Sequence, residues 1–231
     1  MPGIPVTVKI VRTPAAFIRN AYRVLYRAYG PQSWWPARTP FEVMVGAILT
    51  QNTSWTNVER AIANLREAGA LEPARLDRLA LSDLAELIRP SGYYNIKAGR
   101  LKYFLEYFSG GYSFDVDRMK KRPWPRLRRE LLGIHGIGPE TADSILLYAL
   151  DKPVFVVDVY TARVLSAHRV IDGAAGYADI QGLFTRALRP DVRVYNEYHA
   201  LIVRCAKDHY RRGRNTGGSP LNALLYQPRQ L

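Results

Sequence analysis

The chain holds a single cysteine, Cys205, in 231 residues. That rules out an internal disulfide and any metal or iron–sulfur site built from cysteines alone, because such cages need several thiolates. Histidine is scarce too, with four in all, and His135, His168 and His199 show no metal-ligand spacing, so structural roles are expected for them. No apolar run approaches the roughly 20 residues needed to span a bilayer, and no secretory signal opens the sequence. The expectation is therefore a cytoplasmic protein without membrane contact. Negative charge is the other shortage: 20 Asp+Glu face 33 Lys+Arg, a formal net charge of +13. Such a balance suits a polyanion, so nucleic acid is the leading partner, with a solvated basic surface or an acidic protein partner as alternatives. The clusters at 118–122, 126–129 and 211–214 are candidate phosphate contacts.

Strand patterning is nearly missing as well. The run Val154–Val157 is too short to define a sheet, and helix signals dominate, so an all-α protein is expected. Thr13-Pro14 opens a helix through Tyr29 that Gly30-Pro31 stops. Thr39-Pro40-Phe41-Glu42 has the capping-box order ahead of Phe41, Met44, Val45, Ile48 and Leu49 on one face. Val58, Ala61, Ile62 and Leu65, then Leu84, Leu87 and Ile88, then Ala98, Leu101, Phe104, Leu105 and Phe108 mark further helices. With 48% hydrophobic residues, the chain is long enough for one sizeable core or two small interleaved ones. The polar, Gly/Pro-rich tail from Gly213 to Leu231 is expected to be partly mobile.

The densest information lies in residues 131–165. Gly136 and Gly138 bracket one apolar residue, so the backbone can turn sharply and present bare amides to a phosphate, and Pro139 fits the first turn of a helix. Ala142, Ile145, Leu146 and Ala149 continue that helix, whose N-terminus points back at the hairpin. A tight connection alone would use the same glycines. Asp158 precedes the helix-like stretch Val159–Leu165 and reads as its N-cap. Capping does not exclude chemistry, since a carboxylate held by backbone amides stays ionised and oriented, as stabilising a cationic transition state requires.

Two aromatic stretches accompany the hairpin. Trp34-Trp35-Pro36 precedes the capped helix at Thr39, and Thr50-Gln51-Asn52-Thr53-Ser54-Trp55 ends it with a polar run and a third indole. Packing against neighbouring helices is the ordinary role for each, and for Gln51 a polar helix end. Aromatic surfaces are also what holds a base taken out of a duplex.

The hairpin followed by an aspartate resembles the helix-hairpin-helix DNA glycosylases of the endonuclease III superfamily. The Trp-Trp-Pro and Leu-Thr-Gln-Asn-Thr stretches resemble its cluster-free 3-methyladenine DNA glycosylase III branch. This resemblance implies a two-lobed all-α fold with the active-site cleft between lobes: residues 32–142 as a central helical barrel, and 1–31 plus 143–231 as the second lobe, carrying the aspartate. It implies Asp158 as the catalytic residue, and a base pocket of Trp34, Trp35, Pro36, Trp55 and Lys207. Trp55 would stack on the base where the branch carries a phenylalanine. Lys207 would repel a cationic base unless it meets phosphate or loses its charge by burial.

Gln51 would fill the gap left by the flipped nucleotide. Lys97, in the turn-like stretch Ser91–Ala98, would reach a phosphate, and Ile134, Gly136, Gly138 and Thr141 would make the hairpin contact with DNA. Glu140 stands where bifunctional members carry a lysine, and a carboxylate cannot form a Schiff base, which argues for water as nucleophile. The implied function is monofunctional excision of alkylated purines, 3-methyladenine above all, in base-excision repair. The expected partner is double-stranded DNA, met as a monomer and nucleoid-associated in a prokaryote. No cofactor is expected, a monovalent ion at the hairpin backbone being the one option left open. A same-fold glycosylase for mismatched or oxidised pyrimidines, and a non-catalytic hairpin module, are the alternatives.

Overall fold

The computed structural model describes residues 8–32, 37–211 and 214–228. The protein is all-α, as its sequence implies, with twelve helices among the described residues. The chain divides into two units, Trp35–Lys152 and, from both ends, Met1–Trp34 with Pro153–Leu231. Residues 143–152, expected with the terminal lobe, group with the central unit. Their apolar residues Ile145, Leu146, Leu147 and Ala149 are buried and pack against the first helix of that unit, Pro40–Leu49.

In the central unit, α2 (Pro40–Leu49), after α1 (Pro14–Tyr29) of the other unit, is followed by α3 (Trp55–Glu67), α4 (Pro73–Arg78), α5 (Leu81–Leu87), α6 (Tyr94–Tyr112), α7 (Val116–Lys120), α8 (Trp124–Leu132) and α9 (Pro139–Ser144). Thr39 caps α2 by accepting from the Glu42 N–H at 3.1 Å. The reciprocal half of the capping box is absent: Glu42 instead takes Arg66 at 2.8 Å and the Arg38 N–H at 3.4 Å. α2 is buried from Phe41 to Leu49 on every side rather than on one face, because α3, α6, α9 and the turn at 145–149 all pack on it. The helix expected through Ala149 changes character after Ser144. Ile145–Ala149 form a π turn, closed by Leu150 N–H to the Ile145 carbonyl at 3.2 Å.

The other unit packs α1 against α11 (Tyr177–Ala187) and α12 (Val192–His209), and α12 in turn carries α10 (Val159–Ala167). Thr13 caps α1, and Gly30, at φ 66°, ends it, as the Thr-Pro and Gly-Pro signals imply. Phe155 stacks on Phe184 with ring centres 3.8 Å apart, and Tyr198 donates to the Ile18 carbonyl at 2.8 Å. Val154–Val157 is buried and joins no strand; side chains satisfy part of its backbone, Gln181 donating to the Phe155 carbonyl at 2.7 Å. Two short pairings do form, β1 (Lys9–Val11) parallel to β4 (Leu224–Tyr226) and β2 (Tyr210–Arg211) antiparallel to β3 (Arg214–Asn215). Within the described tail, Leu221 is fully buried and Ser219 shares a 3.0 Å hydrogen bond with Tyr210, whereas residues 214–218 are exposed. Among the described residues no helix is long and apolar enough to cross a membrane.

Candidate active site

The hairpin between α8 and α9 is built from backbone and braced by side chains. Ile137 N–H closes it on the Ile134 carbonyl at 3.1 Å. Gly136 has φ +83°, and a Cβ there would meet the Arg100 side chain at 2.6 Å, so both conformation and space demand glycine. Gly138 is the extended residue before α9, and Pro139 starts the helix. Glu140 is exposed in the first turn, where a carboxylate complements the helix dipole. Arg128 of α8 grips Asp143 of α9 through two hydrogen bonds, 2.7 and 3.0 Å, with the Asp143 side chain fully buried. This clamp joins the two helices that carry the hairpin.

Gln51, at the end of α2, is spent on the same hairpin. Its amide donates to the Gly136 carbonyl at 3.0 Å and to Thr141 Oγ at 2.9 Å, while its oxygen accepts from Arg100. To enter a duplex Gln51 would have to give up all three. The Thr141 hydroxyl, expected at DNA, is buried under Gln51, and the Ile134 side chain is buried as well, so what these residues offer outward is backbone.

Lys97 corrects the expectation of a phosphate contact. It is 1% exposed and donates to the Leu49 carbonyl at 2.8 Å and the Ser91 carbonyl at 2.6 Å, tying the end of α2 to the turn before α6. Burial, helped by nearby Arg100, pulls its ammonium down to about 8. What that turn does expose is Tyr93, 67% accessible and in the left-handed region at φ 48°. Its strain and exposed ring are signals the sequence alone does not carry. Of the basic clusters, Arg126 pairs with Glu130 at 2.8 Å, Arg128 with Asp143, and Lys120 with Asp151 at 2.5 Å, leaving fewer cations for phosphate than the sequence suggests.

Trp55 opens α3 after a turn in which Asn52 adopts φ 54°. Its indole Nε1 donates to Glu59 Oε1 at 2.9 Å, and the ring lines a cavity of about 270 Å³ shared with Glu42, Glu59, Ile62 and Arg66. Trp34, Trp35 and Pro36 lie outside the described residues.

In the other unit Asp158 caps α10, as its sequence position implies. Its Oδ1 accepts from Thr161 N–H at 2.8 Å and Thr161 Oγ at 2.9 Å. Its Oδ2 lies 3.4 Å from Nε2 of His199 on α12. Burial pushes this carboxyl up, but His199 and the Thr161 hydrogen bonds outweigh it and hold it below the ordinary carboxylate range. His199, expected to be merely structural, thus partners the candidate catalytic group. Nothing local in the sequence reveals a pairing across 41 residues. Lys207, also on α12, is exposed with its ammonium 5.7 Å from the Tyr160 ring centre, so burial is not what would reconcile it with a cationic base.

Residues 45–190 match the family described as HhH-GPD superfamily base excision DNA repair protein. The chain belongs to that superfamily. A Methanocaldococcus jannaschii protein assigned as a DNA repair glycosylase is 49% identical over 84% of this chain and 89% of its own length. Endonuclease III of Sulfolobus acidocaldarius is 30% identical over 72% of each chain. Among solved structures, the H. pylori 3-methyladenine DNA glycosylase bound to 1,N6-ethenoadenine superposes with a TM-score of 0.73 at 28% identity, covering 85% of this chain and 98% of that one. This HhH-GPD protein is accordingly a DNA glycosylase of base-excision repair, and DNA is its partner.

Proposed function

We propose that the protein is a monofunctional glycosylase that turns alkylated purines, 3-methyladenine above all, out of double-stranded DNA and hydrolyses their N-glycosidic bond. The observation that carries this reading is Asp158: one oxygen fixed by Thr161, the other beside His199, and the carboxyl kept ionised. Alkylation at N3 or N7 makes the purine cationic and weakens its bond to the sugar, so the leaving group needs no proton. What remains is to stabilise an oxocarbenium-like sugar and admit water. A fixed carboxylate does the first electrostatically and can take the proton of the attacking water. Glu140 offers no amine for a covalent route. Neither step calls on a cofactor, and one chain supplies every group named.

The choice of alkylated purines is supported by Trp55, whose indole face attracts a cation, and by similarity to the H. pylori enzyme. Duplexes carrying 3-methyladenine, uracil or an oxidised pyrimidine test it. The expected result is free methylpurine, strands uncut until alkali is added, and no borohydride-trapped adduct. Preferential release of uracil or oxidised pyrimidine would reverse the substrate assignment, and a trapped adduct would refute the monofunctional one.

A further inference from the structure

The cavity beside Trp55 holds two carboxylates with different standing. Glu42 is buried and answered by Arg66 at 2.8 Å. Glu59 is exposed, and among the described residues no cation pairs with it; its contact is the indole N–H of Trp55 at 2.9 Å, one helical turn earlier. In a chain of net charge +13 an unanswered carboxylate at an aromatic wall is out of keeping with its surroundings. Its placement has two physical effects on the ring. A charge-assisted hydrogen bond fixes the indole in one rotamer, and a negative acceptor on the N–H pushes electron density into the π face. Both raise the attraction of that face for a cation, which grows with the electron richness of the ring.

We infer that Glu59 is a specificity-determining positioning residue, which acts through the indole N–H of Trp55 to favour cationic alkylated purines over neutral damaged bases. This rests on the proposed function, since it takes Trp55 as the surface on which the extruded base stacks. It adds a residue outside the stacking wall and a reason for tryptophan there: phenylalanine has no N–H for a carboxylate to hold.

The test is the ratio of single-turnover release rates for 3-methyladenine, a cation in the duplex, and 1,N6-ethenoadenine, a neutral adduct, in the same sequence. It is measured for wild type, Glu59→Gln, Trp55→Phe and the double variant. Glu59 is exposed, so its replacement leaves the helix core intact. Glu59→Gln keeps an acceptor and removes the charge, and should lower the ratio by about three- to tenfold, the scale of a cation–π contribution. In the Trp55→Phe background the same change should move the ratio by less than roughly twofold, because the link through the N–H is gone. A ratio unmoved by Glu59→Gln, or a fall of the same size in both backgrounds, would overturn the inference while leaving the function standing. A wild-type enzyme without preference for the cationic lesion would overturn both.

Discussion

At the level of single residues, the two oxygens of the Asp158 carboxylate are divided between two partners. Thr161 holds Oδ1 and leaves Oδ2 to His199 and, in the proposed reaction, to the sugar cation. Asp158→Asn preserves the cap and removes the charge, so binding to abasic-site DNA should change by less than about threefold while base release falls by about a hundredfold or more. His199→Leu has a different signature. His199 is one of the groups holding the Asp158 carboxyl down, so removing it should raise that group toward ordinary values. The acid limb of the pH–rate profile should therefore move to higher pH, and an unmoved limb would show that His199 plays no part in the ionisation. Asp158 was legible because a cap signal precedes a helical stretch. His199, Lys97 and Thr141 were not, because what they touch is chosen by packing between helices far apart in sequence. Lys97 makes the point sharply: a lysine in a polar turn reads as a surface cation, yet its two acceptors are carbonyls brought to it by α2 and the turn before α6.

At the scale of elements, the hairpin is the part most fully written in sequence, since Gly136, Gly138 and Pro139 each have a local conformational reason. Its bracing is not local. Gly136→Ala must place a Cβ at φ +83° and 2.6 Å from Arg100, and should cost about 1–3 kcal/mol of stability and weaken DNA binding. Thermal unfolding and fluorescence-polarisation titration would check the two effects. Arg128→Met leaves the Asp143 carboxylate buried without its bidentate partner and should cost about 3–5 kcal/mol, read by chemical denaturation. A loss below about 1 kcal/mol would mean that the pair does not hold α8 to α9. The π turn at 145–149 is invisible in the sequence for a related reason. Ala142, Ile145, Leu146 and Ala149 keep helical spacing on paper, and only packing on α2 widens the last turn.

At the scale of the molecule, composition fixed the class of partner and overstated the contacts. A net charge of +13 predicts binding to abasic-site DNA that weakens steeply with salt, but the pairing of Arg126, Arg128 and Lys120 within the protein predicts a slope shallower than the basic clusters imply. Stability should also depend on pH. His168 is half-buried against Phe17 and Tyr210, and the loss of solvent around its ring pulls it down to about 4. The unfolded chain binds a proton there below about pH 6.5 while the folded one does not, so stability falls as pH drops from 6.5 toward 4, by on the order of 2 kcal/mol from this group. His168→Phe should flatten that part of the profile. The proposed role of Asp158 in hydrolytic loss of alkylated purines is tested by mass spectrometry of bases freed from methylated DNA by wild type and by Asp158→Asn. Wild type should release 3-methyladenine, and the variant almost none although it still binds the DNA. Equal release by the two proteins, or no methylpurine from either, would contradict that role.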